Sequence, residues 1–219
     1  MNTTLNLDML ASYVQRLLNN YLPDGLNYNE PKLDAINFAL NRVFFSFKKT
    51  KAKYYSDKSE PKFDHLNSDH MVTFLYFLSR YYFEVVNNTA MASKLFYLNK
   101  IMNGIDLFYS VKMPQIFIVV HPVGTVIGHS EFQNYLAIWH NVTIGAEKNI
   151  YPKFGEGVVL YSGSRVIGDC KIGNNVYIGP NSLIVNTDVP NNSIVVGQYP
   201  NHRILNSKRF VKEQIFGIN

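Results

Sequence analysis

Residues 154–184 read FGEGVVLYSGSRVIGDCKIGNNVYIGPNSLI. Steps of six from Phe154 land on Leu160, Val166, Ile172, Ile178 and Ile184, all large and apolar. Two places before each step from Leu160 onward stand Val158, Ser164, Cys170, Val176 and Ser182, all small or branched, and Gly168, Gly173 and Gly179 punctuate the run. A helix repeats its buried face roughly every 3.6 residues and a half-buried strand roughly every 2. A six-residue period fits neither. It fits a solenoid in which each hexad lays down one flat wall and three walls complete a turn. The large residue then points inward and stacks on its equivalents in adjacent turns.

The same step works upstream in a shifted frame, through Val120, Val126, Phe132, Ile138 and Ile144, with Gly124, Ser130, Leu136 and Val142 two places earlier. That frame next requires apolar residues at 150 and 156, and Glu156 breaks it. About four extra residues therefore lie within Ala146–Lys153. An insertion in a solenoid leaves the wall as a loop, and such loops often line the binding face. The expectation is a hexapeptide β-helix over residues 106–200, with 106–119 leading into it.

Residues 1–105 read as an α-helical domain. Asp8–Tyr21 carries an apolar stripe ended by Pro23-Asp24-Gly25, and Lys32–Phe47 carries a second. The lysine-rich stretch Phe47–Phe63 reads as a loop. Asp69–Val86 is apolar on most sides and reads as a buried helix, and Met91–Met102 reads as a fourth, stopped at Asn103-Gly104. The many tyrosines and phenylalanines here are packing residues in this reading. Residues 201–219 form a basic tail, with a short helix through Arg209–Ile215.

Composition narrows the function. With 219 residues, 47% hydrophobic and 17% charged, the chain is long and apolar enough to build a large core. No run of eighteen apolar residues marks a membrane span, and MNTTLNLDML lacks the pattern of a signal peptide. The single cysteine, Cys170, falls at an inward small position and reads as core, and no disulfide framework is available, which points to the cytoplasm. The net charge of +5 favours anionic ligands, but the lysine clusters are short, interrupted by acids and carry no nucleic-acid motif.

Residues from about 104 to 204 resemble the serine acetyltransferase branch of the left-handed β-helix acyltransferases. The resemblance rests on His121-Pro-Val-Gly124-Thr-Val-Ile-Gly128, on Ile138-Trp-His-Asn-Val142-Thr143-Ile144-Gly145, and on Tyr151-Pro152-Lys153-Phe154 with Gly155 and Gly157. The coils Gly163–Gly168 and Ile178–Ser182 also align. The fold class implied is α+β: an α-helical domain, then a left-handed parallel β-helix, then the tail. The family's catalytic pair is a His and an Asp fifteen residues before it; counting back from His121 gives Asp106. A neutral imidazole suits the removal of an alcohol proton, and a carboxylate behind it fixes the tautomer and steadies the imidazolium. The resemblance implies acetyl-CoA as co-substrate, without a metal. It places the pantetheine near Gly145, Ala146, Ser162, Gly163 and Pro180, with Lys153, Arg203 and Lys208 toward phosphates. It also implies a homotrimer with sites between subunits, extended in one variant to a dimer of trimers through the helical domain.

On the acceptor side stand Trp139, His140 and Tyr151. The family has an Asp immediately before the catalytic His and an Arg-His before Pro-Lys, which hold the ends of free serine. Here those places are Val120 and Ile150-Tyr151. A zwitterion needs charged partners, whereas Trp and Tyr suit a sugar. The expectation is therefore an acetyl-CoA O-acetyltransferase acting on a sugar or a surface polysaccharide. The alternatives are a serine O-acetyltransferase and a non-catalytic β-helix scaffold. A zinc site of the γ-carbonic-anhydrase kind lacks its His-x4-His pair, since the fifth residue after His121 is Val126.

Overall fold

The structure, a computed structural model, describes residues 2–25, 31–57 and 60–218. Four helices come first: α1 (Leu7–Tyr21), α2 (Leu33–Phe47), α3 (Ser68–Glu84) and α4 (Thr89–Asn103). Three of them begin at an asparagine whose side chain meets the free N–H groups of the first turn. Asn6, Asn67 and Asn88 accept backbone N–H groups at the starts of α1, α3 and α4. Gly104, in the left-handed region at φ 66°, ends α4. Helix α3 is buried nearly all round, from His70 to Ser79 and again at Tyr82, as its apolar sequence requires.

The lysine-rich stretch is more ordered than a loop. Ser56–Asp57 pairs antiparallel with Glu60–Phe63, which pairs in parallel with Asn2–Thr3. Strands this short leave no alternation for the sequence to display. Lys58 and Ser59 of that stretch lie outside the described residues.

From Asp106 the chain winds into a parallel β-solenoid. Among the described residues its strands fall on three walls. The first carries Asp106–Leu107, Val126–Ile127, Thr143–Gly145, Arg165–Ile167 and Leu183–Val185. The second carries Glu131–Phe132, Lys153–Phe154 and Lys171–Ile172. The third carries Phe117–Val119, Leu136–Ile138, Val158–Leu160, Val176–Ile178 and Ser193–Val196, closed by the antiparallel Arg203–Asn206. The register stacks like on like: Ile127, Ile144, Val166 and Ile184 on one wall; Phe132, Phe154, Ile172 and Val189 on the next; Val119, Ile138, Leu160, Ile178 and Val195 on the third. The hexad frame from Phe132 to Ile184 is thus the core ladder, and Cys170 is buried within it, its thiol pushed up by burial.

Before Phe132 the frame differs by one. Val126 is 43% exposed, and the ladder positions are Val119 and Ile127 rather than Val120 and Val126. The corner between Ile127 and Phe132 is one residue short, and the corner that holds His121 and Pro122 is long, so a fixed step slips.

The insertion after Gly145 leaves the wall as a tight turn. Glu147 and Ile150 pair antiparallel across Lys148 and Asn149, both at positive φ. The tail folds back as α5 (Val211–Ile215). Val211 and Phe216 are buried, Phe216 lies edge-on to Tyr135, and the Lys51 N–H donates to the Ile215 carbonyl at 3.0 Å.

Candidate active site

The corner between the third wall and the first repeats through four coils. Gly124, Asn141, Gly163 and Asn181 occupy equivalent places, all at positive φ, each N–H donating to the carbonyl one layer below. Gly124 leaves room for the Asn141 side chain stacked over it. A Cβ on it would meet Asn141 Oδ1 at 2.0 Å. In the lowest of these layers the chain spends two more residues between wall and corner than in the layer above, from Val119 to Gly124 against Ile138 to Asn141. His121 sits in that excess, exposed and at φ 52°.

His140 stands in the next layer, its ring centroid 6.4 Å from that of His121. Its Nδ1 is buried and has no hydrogen-bond partner among the described residues. Trp139 beside it packs on Tyr161 with ring centroids 5.0 Å apart, and the Thr125 hydroxyl donates to the Trp139 carbonyl at 3.0 Å. Above His140 on the same edge come Ser162 and Gly163, then Pro180. Solenoid layers are about 4.8 Å apart, so the edge from the His121 layer to the Pro180 layer is about 14 Å long. Its two upper layers carry the small residues Ser162, Gly163 and Pro180 beside Tyr161, and the layers below carry His140 and His121.

The other candidates lie elsewhere. Asp106 is in the layer below His121, where the Gly124 N–H donates to the Gly104 carbonyl at 2.9 Å and the Asp106 N–H to the Thr125 carbonyl at 2.8 Å. Its carboxylate accepts from Lys100 at 2.6 Å, and among the described residues no hydrogen bond or ion pair joins it to His121. Gly145, Ala146 and Tyr151 sit at the next edge of the prism, across the first wall from His121. There the Tyr151 ring lies so close over Gly128 that a Cβ would meet it at 2.6 Å. His129, beside Tyr151, is exposed and shares a 2.7 Å hydrogen bond with Ser110. Lys153 is on the second wall, fully exposed, and pairs with Glu131 at 2.7 Å, which raises its pKa. Arg203 and Lys208 are exposed at the far end of the third wall and beyond.

Sequence reading missed two residues at the corner. Asp69, in the first turn of α3, accepts the His121 backbone N–H at 2.9 Å, and Tyr55 donates toward both Asp69 and the Val119 carbonyl. Neither residue belongs to the repeat, and nothing in the local pattern distinguishes them. Among the described residues no three His, Cys, Asp or Glu side chains gather as a metal set, and no helix is long and apolar enough to cross a membrane. An apolar groove of about 600 Å³ between α1, α4 and Phe108 contains none of the candidate residues.

Repeat and walls together define a hexapeptide-repeat parallel β-solenoid. Residues 151–186 match the family model described as bacterial transferase hexapeptide (six repeats). Within that class the chain resembles serine acetyltransferases. It is 31% identical to the one of Synechococcus elongatus over 108 residues, which are 47% of this chain and 44% of that protein. It is 33% identical to that of Staphylococcus epidermidis over 110 residues, 48% of this chain and 51% of the relative. The chain thus spans about half the length of the curated relatives it matches. The serine acetyltransferase of Vibrio cholerae superposes with a TM-score of 0.66 at 18% identity, covering 94% of this chain and 83% of that one. A serine acetyltransferase solved in complex with CoA superposes with a TM-score of 0.66 at 21% identity, covering 92% and 85%. The likeness to these structures shows a common fold, helices followed by solenoid.

Proposed function

We propose that the chain is an acetyl-CoA-dependent O-acetyltransferase in which His121 removes the proton from the acceptor hydroxyl. One observation carries this reading. An exposed imidazole stands in a lengthened corner, beside a second histidine, at the foot of an edge about 14 Å long whose upper layers carry Ser162, Gly163 and Pro180. The acceptor oxygen attacks the thioester carbonyl carbon as its proton passes to His121. The C–S bond then breaks, and the proton on the imidazolium goes to the departing CoA thiolate. His140 and Trp139 face the acceptor. Ser162, Gly163 and Pro180 support the pantetheine along the edge. Asp106 orients His121 in this reading, which requires its carboxylate to exchange Lys100 for the imidazole.

Gly145, Ala146 and Tyr151 stand one wall away from His121 in the same chain. A site that uses both edges needs a second copy, and a closed trimer supplies three such sites by symmetry. Lys153 reaches phosphate in this reading only by leaving Glu131, and Arg203 and Lys208 would serve the far end of the cofactor.

Serine is the acceptor that the relatives' names support. A sugar hydroxyl is the second reading. It is favoured by Val120, Ile150 and Tyr151, which offer no charge to the two ends of an amino acid. The test is CoA release from acetyl-CoA with L-serine and, separately, with a panel of bacterial polysaccharides. His121→Ala is expected to lower the rate about 10²–10⁴-fold with its melting temperature unchanged. A fully active His121→Ala would remove the base assignment. Release with serine alone would dismiss the sugar, and release with a glycan alone would dismiss serine.

A further inference from the structure

The left-handed backbone at His121 needs a cause. A bulky residue at positive φ is strained and persists only where its surroundings hold it. The solenoid does not hold this one. The ladder uses the N–H groups of Val120, Gly124 and Asn141, which donate to Ile138, Gly104 and Val123, and it passes over His121. The His121 N–H goes instead to Oδ1 of Asp69, at 2.9 Å and fifty-two residues earlier in the chain.

Asp69 is itself fixed. It lies in the first turn of α3, where the helix dipole favours a carboxylate, and its own N–H donates to the Asn67 side chain at 3.0 Å. The Ser68 hydroxyl donates to Oδ1 at 3.3 Å. The buried Tyr55 hydroxyl lies 3.4 Å from Oδ2 and 3.3 Å from the Val119 carbonyl, so it touches both the carboxylate and the wall strand that leads into the corner. Burial, reinforced by Asp69, pushes the Tyr55 hydroxyl well above its usual pKa, so it remains a donor. Helix α3 is buried along most of its length, so this anchor moves only if the helical core moves.

We infer that Asp69 is a positioning residue: it pins the His121 corner to the start of α3 and so sets where the imidazole stands over the acceptor. The inference rests on His121 being the base. It gives the helical region a part in catalysis without contact to substrate. Displacing a catalytic group by about 1 Å costs on the order of 10²-fold in rate.

The test pairs Asp69→Ala with Asp69→Asn, since the amide keeps the Oδ1 acceptor and loses only the charge. CoA release from acetyl-CoA with L-serine or the active glycan gives kcat and KM. Amide hydrogen exchange of the His121 N–H reads the anchor directly and needs no acceptor. In Asp69→Ala, kcat is expected to fall about 10–100-fold with KM for acetyl-CoA unchanged. His121 exchange should accelerate at least about tenfold there, as expected when a protecting hydrogen bond is lost. Asp69→Asn should restore protection and most of kcat. Unchanged His121 exchange in Asp69→Ala overturns the inference. So does a loss of kcat that merely follows a falling melting temperature in both variants. The two readings fail separately. An active His121→Ala defeats the base assignment, whereas an inactive His121→Ala beside a fully active Asp69→Ala defeats only the positioning role.

Discussion

The helical region and the solenoid bury their apolar residues by different rules. In the solenoid each core residue lies on a near copy of itself, as Ile144 lies under Val166 and Val166 under Ile184. Contacts are local and each rung is nearly interchangeable. In the helical region the core is a set of unlike rings. Phe47 meets Tyr55 edge-on at 4.7 Å and His70 at 4.9 Å, Phe63 meets Phe74 at 5.2 Å, and Tyr76 meets Phe117 of the solenoid at 5.9 Å. Each ring has a unique set of neighbours, so a single loss is felt across the region. A regular core tolerates exchange, whereas an irregular one concentrates its stability in particular residues.

The largest expected effect follows from that contrast. Phe74→Ala removes a fully buried ring that packs on Phe63, and it should cost about 3–5 kcal/mol of unfolding free energy in urea titration. A cost under about 1 kcal/mol, the range of tolerated volume-conserving swaps, would mean that the aromatic cluster repacks as freely as a solenoid rung.

Next comes a dependence on acid pH that arises in the helical region. His70 is buried among Phe47, Tyr55 and Phe63, and its Nδ1 accepts the Asp64 N–H at 3.0 Å. Burial draws its pKa down from 6.5 to about 4. A His lowered in the folded state binds its proton more readily when unfolded. Its stability is therefore fully present above about pH 6.5 and is lost as pH falls from there toward 4. Between pH 8 and pH 5 this single group should cost about 2 kcal/mol. In His70→Gln that part of the slope should vanish; an unchanged slope would place the pH sensitivity elsewhere.

A smaller effect sharpens the ladder side. Ile144→Val, Ile178→Val and Ile184→Val each remove one methylene from a fully buried rung and should each cost about 0.5–1.5 kcal/mol. The three values should agree to within about 0.5 kcal/mol, the usual limit of independent additivity. A spread of several kcal/mol would show that the rungs are not equivalent.

The same contrast explains what the sequence displayed. Period six is visible because every rung from Phe132 to Ile184 obeys one rule, and the four-residue insertion shows as a broken frame before Phe154. The slip at Val120 and Val126 arises where corners vary in length, and corner length has no residue signature of its own. His121 was legible through its resemblance and its spacing from Asp106, but not the ion pair that Asp106 makes with Lys100. Asp69 and Tyr55 were invisible for a physical reason. Their link to His121 exists only once α3 docks on the first coil, and docking geometry is encoded by the whole irregular core rather than by a motif.

The last comparison contains the smallest expected effect, that of Tyr177→Phe, and separates the two regions most cleanly, because one substitution can be made in both. Tyr76 in α3 and Tyr177 on the third wall are buried, and burial pushes each hydroxyl up to about 12. Titration alone does not distinguish them, but hydrogen bonding does. The Tyr76 hydroxyl donates to the Val111 carbonyl at 2.7 Å and accepts the Met113 N–H at 3.0 Å, so it ties the helix to the chain entering the solenoid. Tyr76→Phe removes both bonds, but the Val111 carbonyl still accepts from Arg80 at 3.0 Å and from the Met113 N–H at 3.2 Å, so the loss should be about 0.5–1.5 kcal/mol. The Tyr177 hydroxyl has no hydrogen-bond partner among the described residues. Removing a buried, unsatisfied hydroxyl discards a desolvation cost and no bond, so Tyr177→Phe should lie within about 0.5 kcal/mol of the parent or slightly above it. If Tyr177→Phe costs as much as Tyr76→Phe, the hydroxyl on the third wall has a bonded partner in solution, and that wall takes part in more than stacking.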